Sequence, residues 1–150
     1  MKASTAPGRL AIAQRKTILA AVDRSDASHA VLQEAAALAG SFQAHVILVH
    51  VTEPPMAWDA AQPAKLTPAL ADTSRRFAEL GLSAEARELY GEPGRQLAEE
   101  AGRLRPDLVI VGTRARGVLR GLLLGRTASY LLRHASCPLL VVPNAHRRPA

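Results

Sequence analysis

Residues 18–51 read ILAAVDRSDASHAVLQEAAALAGSFQAHVILVHV. Two apolar runs, ILAAV at 18–22 and AHVILVHV at 44–51, flank a stretch with helical character. Short runs of β-branched residues and leucine suit strands buried on both faces. Between them, Ser25 can cap a helix at about 26–39, Asp26 sits in its positive first turn, and Gly40 supplies an end.

The same alternation continues outward. SAEAREL at 83–89 alternates weakly and predicts an edge strand, whereas LVIV at 108–111 and PLLVV at 138–142 predict two more buried ones. Thr67 followed by Pro68 opens a helix that stops at Gly81. Pro93 starts the next, whose Leu97, Ala101 and Leu104 fall on one stripe before Pro106 stops it. A last helix is expected from about 125 to 135, with Leu124, Ala128, Leu131, Leu132 and Ala135 facing inward and Arg133 and His134 at its negative end. The order is β-α-β-α-β-α-β-α-β, an α/β domain with a five-stranded parallel sheet and helices on both faces. Residues 1–15 read as a flexible N-terminal tail, 16–143 as the domain, 144–150 as a basic C-terminal tail, and 52–66 as the longest loop.

The 150 residues fit one domain, and 48% apolar against 21% charged residues is a globular balance. Cys137 is the only cysteine, which excludes an internal disulfide framework and a cysteine-rich metal site and fits a reducing cytosol. No apolar run approaches the roughly 18 residues needed to cross a bilayer, and MKASTAPGRLAIAQRK lacks the apolar core of a signal peptide. A soluble cytoplasmic protein is expected, with no membrane partner. Charge is unevenly placed. Residues 1–107 carry 12 Lys and Arg against 13 Asp and Glu, a net −1, whereas 108–150 carry seven arginines and no acid, a net +7. That end attracts anions: phosphate groups, nucleic acid, acidic lipid or an acidic partner. Nucleic acid is the weaker choice, because the five aromatics (Phe42, Trp58, Phe77, Tyr90, Tyr130) are too scattered for a stacking platform and no helix-turn-helix or zinc-finger pattern occurs.

In an open parallel sheet, ligands bind beyond the carboxyl ends of the strands, where strand order reverses. Three places qualify: Val22-Asp23, His50-Val51, and the loop from Gly112 to Gly125. Asp23 could accept a hydrogen bond from a ribose hydroxyl or cap the following helix. The loop GTRARGVLRGLLLG carries four glycines and several arginines and ends at a helix start, a setting in which backbone amides approach an anion. It reads equally as an ordinary strand-to-helix connection. There is no GxxxxGK[ST], GxGxxG, GxSxG or HExxH. His29, His45, His50, His134 and His146 are dispersed; His50 is expected as a strand-end histidine, packed or bonded to backbone, and Cys137 as a core residue rather than a nucleophile.

ILAAVDRSDASHAVLQEAAALA resembles the first strand and helix of universal stress proteins, AHVILVHVTEPP their second strand, and the stretch from GEPGRQLAEEAG to CPLLVV their C-terminal half. The resemblance covers about residues 16–143. It implies strand order 3-2-1-4-5, the adenine nucleotide alpha hydrolase-like fold, and homodimers that pair the last strands, here 138–142. An uncovered apolar edge agrees with such pairing. One branch of the family binds ATP through G-x2-G-x9-G-[ST]. Gly112 and Gly125 fit the first and third glycines, but Ala115 stands at the second, Arg126 at the Ser/Thr position, and Ala128 where ATP binders often carry a hydroxyl. Carried over by position, Ala21, Val22, Asp23 and Val51 would hold adenine and ribose. Gly112, Arg114, Gly125, Arg126 and Thr127 would hold phosphates, with Val111 and Ala115 completing the set. A methyl at 115 and a missing hydroxyl at 126 together remove about 3–4 kcal/mol, a several-hundred-fold loss of affinity. Arg126 could offset this by bidentate phosphate binding or could fill the pocket. The resemblance thus implies a dimeric stress-response binding module that takes ATP, AMP or a phosphate-like anion, with magnesium only alongside ATP. The alternatives are a member that has lost the nucleotide and acts through an unknown protein partner, or a weak ATPase. No paired base and nucleophile and no metal-ligand set favours an enzyme.

Overall fold

The computed structural model describes residues 15–23, 27–53, 65–113 and 124–143. The expected C-terminal tail, residues 1–14 of the N-terminal one, the Ser25 and Asp26 positions, Arg114 and Ala115 lie outside the described residues. The elements are β1 (Thr17–Ala21), α1 (Ala27–Phe42), β2 (His45–Thr52), α2 (Pro68–Glu79), β3 (Ser83–Tyr90), α3 (Pro93–Leu104), β4 (Leu108–Gly112), α4 (Gly125–His134) and β5 (Leu139–Val142). The sheet runs β3-β2-β1-β4-β5 with every neighbouring pair parallel.

Strand alternation divides the core. Ile18 and Ala20 of β1, Val46 and Leu48 of β2, and Ile110 of β4 face α1 and α2, meeting Val31, Ala35, Leu70 and Phe77. Leu19, Ile47, Val49, Val109 and Val111 face α3 and α4, meeting Leu97, Ala101, Ala128 and Leu131. Both faces being covered is why the central strands are apolar throughout. The edge strand β3 is half-buried along most of its length and carries charge instead. There Arg87 bonds Glu100 at 2.8 Å, and Glu85 bonds His45 at 3.1 Å. Partial burial raises the Glu85 pKa, but the bonds from Arg87 and His45 outweigh it and hold the carboxyl below its ordinary value. Such an edge does not invite another strand.

Two expectations about helices need correction. Gly40 does not end α1, which runs on to Phe42 and stops where Gln43 turns left-handed (φ 51°), with Ala44 N–H donating to Ala39 O at 3.1 Å. That six-to-one bond closes the helix without a glycine at the turn. Leu124 and Leu132 do not face inward; they are 38% and 64% exposed. Each residue rotates the helix by about 100°, so a helix that seats Ala128 and Leu131 on the sheet swings Leu132 outward. Leu124 precedes the first turn as the N-cap residue.

Candidate ligand cleft

The first, second and fourth strands end beside one another, and the chain departs from β1 and β4 toward opposite faces of the sheet. That divergence leaves a cleft. It is lined by Ala21, Val22, Asp23, Val51, Val111 and Gly112 from the strand ends and by Gly125, Arg126 and Thr127 from the start of α4. Nine of the eleven residues expected from sequence therefore meet at one place; Arg114 and Ala115 belong to the adjoining segment outside the described residues. Sequence reasoning missed Ser28, Val31, Pro93 and Leu97, which also line it. The cleft offers about 60 Å³, small against the roughly 300–1,000 Å³ of closed ligand pockets. It is a shallow groove.

The helix starts around this groove differ in how their amides are satisfied. Thr67 caps α2 by accepting from Leu70 N–H at 3.4 Å. Glu92 caps α3 by accepting from Gly94 N–H at 3.1 Å and Arg95 N–H at 2.8 Å. At α4 the N-cap residue is Leu124, which forms no side-chain cap. An uncapped helix start presents N–H groups and partial positive charge. Gly125 opens that helix with φ 75°, a conformation that would strain any residue bearing a Cβ by about 1–2 kcal/mol. Arg126 beside it is exposed and adds a full charge.

Across the groove, Asp23 N–H donates to Ser28 Oγ at 2.6 Å, and that hydroxyl donates to Asp23 Oδ1 at 2.8 Å. Ser28 is buried in the first turn of α1. The signal was an Asp followed five residues later by Ser at a strand-to-helix turn. On the far side of this pair, toward α1 and α2, lies a second cavity of about 520 Å³ that shares Val22, Asp23 and Ser28 as its wall.

His50 lines that second cavity and corrects another expectation, for it bonds a side chain rather than backbone. Its Nδ1 meets Glu88 Oε1, which also accepts from the Thr52 hydroxyl at 2.9 Å, while Glu88 Oε2 accepts from Thr67 N–H at 3.3 Å. The Glu88 side chain is 1% exposed, and three donors make that burial tolerable. The network ties the ends of β2 and β3 to the start of α2. Cys137 is half-buried against the α3/α4 core, and burial pushes its thiol pKa up, away from nucleophilic use. Among the described residues no cluster of His, Cys, Asp and Glu could hold a metal ion. None of the described helices is long and apolar enough to cross a membrane.

A family model described as the universal stress protein family matches residues 14–143. A universal stress protein of Thermus aquaticus is 31% identical over 134 residues, covering 85% of this chain and 98% of that protein. The chain spans only 42% and 59% of two further relatives, a universal stress protein A-like protein of Arabidopsis thaliana and a universal stress protein of Synechocystis. Among solved structures, a universal stress protein in complex with cAMP superposes with a TM-score of 0.69 at 23% identity, covering 87% of this chain and 98% of that one. The universal stress protein from Archaeoglobus fulgidus in complex with dAMP gives 0.66 at 21% identity, covering 85% and 97%. These likenesses carry the adenine nucleotide alpha hydrolase-like fold.

Proposed function

The chain belongs to the universal stress protein family, and from that premise we propose that it is a stress-response binding module whose cleft takes an adenine nucleotide. The observation that carries the reading is the uncapped start of α4, with Gly125, Arg126 and Thr127, facing Asp23 across the divergence of β1 and β4. What further supports it is that two structural neighbours are complexes with cAMP and dAMP. In this reading Asp23 accepts from ribose hydroxyls, and Ala21, Val22, Val51 and Val111 wall the base. The amides of Gly112, Gly125 and Thr127 with the Arg126 guanidinium hold phosphate, and Arg114 and Ala115 follow in the adjoining segment. The open groove accommodates a monophosphate at least as readily as ATP, and magnesium would arrive only with the latter.

Binding rather than turnover is the reading. A base paired with a nucleophile at the cleft is what hydrolysis would need, and Asp23 is engaged with Ser28 instead. The protein acts in the cytoplasm as a homodimer, pairing the β5 edge of two copies. What supports the dimer is that, among the described residues, the short apolar strand β5 pairs only with β4.

The test is thermal melting of the full chain with excess AMP or Mg-ATP and with sulfate as control. At 100 times Kd a ligand adds about 2.7 kcal/mol, raising the midpoint by roughly 5–10 °C. Asp23→Ala is expected to abolish the rise. No rise with either nucleotide at millimolar concentration refutes the nucleotide site and leaves partner capture through the dimer surface. Phosphate release with ATP would make the protein an enzyme.

A further inference from the structure

We propose that Ser28 is the positioning residue that sets Asp23 to read the ribose hydroxyls of the ligand; this rests on the nucleotide reading above. Ser28 is 7% exposed, lines the cleft and stands where the two cavities meet. Its hydroxyl has one proton. Asp23 N–H occupies an oxygen lone pair at 2.6 Å, and the proton goes to Asp23 Oδ1 at 2.8 Å. The two bonds close a small ring through the backbone and side chain of one residue. The carboxylate then cannot rotate about its side-chain torsions without breaking a bond, so it is held for an incoming pair of hydroxyls before the ligand arrives. Preorganisation of this kind raises affinity by removing an ordering step at binding. The brace is built by the fold, because α1 must start within a few residues of the β1 end for the hydroxyl to reach back.

A brace that merely tied α1 to β1 would lower stability and weaken every ligand alike. A brace that sets the carboxylate governs the difference between ligands with and without ribose hydroxyls. The experiment is calorimetric titration of the full chain and its Ser28→Ala and Ser28→Thr variants with AMP and with 2′,3′-dideoxy-AMP, alongside melting curves. Wild type is expected to prefer AMP on the order of 10- to 100-fold, the worth of a hydrogen bond or two to an ionised carboxylate. Ser28→Ala is expected to shrink that ratio to a few-fold while leaving the dideoxy affinity in place, and Ser28→Thr to restore it. Equal weakening of both ligands in Ser28→Ala, or a wild type that does not distinguish them, overturns the role of Ser28 and leaves the nucleotide site standing. A wild type that binds neither ligand removes the nucleotide reading and the role of Ser28 with it.

Discussion

Gly94 and Gly102 lie in the same helix, and replacing each by alanine is expected to move stability in opposite directions. A Cβ built at Gly94 falls 2.8 Å from Tyr130 Cβ, 3.0 Å from its Cγ and 3.3 Å from its Cδ1. Carbon atoms at rest sit about 3.5–4.0 Å apart, so α3 and α4 would have to separate by roughly 0.7 Å at that crossing. Tyr130 cannot swing aside. Its Cβ is one bond from the helix backbone, and its ring lies against His134 with centroids 4.2 Å apart. Overpacking of this kind typically costs about 1–3 kcal/mol. The gain in helix propensity of up to about 1 kcal/mol offsets part of it, less in the first turn than in the interior. The net expectation is a loss of about 1–2 kcal/mol. At Gly102 a Cβ meets nothing within 4 Å, so only the propensity gain of about 1 kcal/mol remains. For a domain of this size 1 kcal/mol moves the melting midpoint by roughly 2–4 °C. Gly94→Ala should therefore melt about 2–8 °C below wild type, and Gly102→Ala about 2–4 °C above it. Urea unfolding should report the same order with unchanged slopes, since neither variant alters the surface exposed. Adding Tyr130→Ala to Gly94→Ala should recover only part of the loss, because the Cβ contact remains. A Gly94→Ala protein that melts at or above wild type would refute the close approach of α3 and α4, and with it the positions of Pro93 and Gly125 around the cleft.

At the opposite end of the central strands from the cleft, Thr17 N–H donates to Asp107 Oδ2 at 2.8 Å and Lys16 Nζ lies 3.2 Å from Oδ1. The backbone bond first, and Lys16 after it, hold the Asp107 carboxyl below its ordinary value. The unfolded chain then takes up this proton at a higher pH than the folded one, so the stabilisation is complete above about pH 5 and fades as pH falls through the depressed value. Urea midpoints between about pH 3 and pH 6 should show a shallower acid-side decline for Asp107→Asn than for wild type; identical slopes would discount the pair. Pro138, just before β5, and Val142 at its end direct their carbonyls to Val109 N–H and Thr113 N–H at 2.9 and 3.0 Å. By alternation Leu139 and Val141 turn their backbone groups outward. Val141→Pro thus removes one outward N–H while sparing the β4 ladder. If the proposed β5 dimer forms, sedimentation equilibrium should show wild type as a dimer and the variant as a monomer at the same concentration, and a variant that stays dimeric would move the interface elsewhere.

The two kinds of information met unevenly at the site. The strand-end part of the cleft, Val22, Asp23, Val51 and Gly112, was legible because the rule that finds it needs only strand ends, which are written locally in apolar runs such as ILAAV and LVIV, whereas Arg126 and Thr127 followed from the resemblance to the family's nucleotide pattern. The partnership of His50 was not legible. Glu88 lies 38 residues away and reaches it only because β2 and β3 pair with His50 opposite Glu88. Nor was the outward swing of Leu132, since an apolar residue next to Leu131 looks equally fit for the core until the helix is seated. Gly40 does not end the helix because the left-handed turn falls on Gln43 instead, where Ala44, buried beyond it, bonds back to Ala39.

By itself, the sequence determined the succession of strands and helices, the apolar identity of the central strands, the charge asymmetry, and the stretches from which a ligand site could be drawn. Each of these depends on periodicity or on capping among near neighbours, and near neighbours are fixed by the chain. Only the tertiary structure decided that the start of α4 lines one groove with Asp23, that Glu88 is buried under three donors, and that Gly94 must lack a side chain. These depend on how close packed surfaces approach, to within a few tenths of an ångström, and that distance is set by the whole core at once.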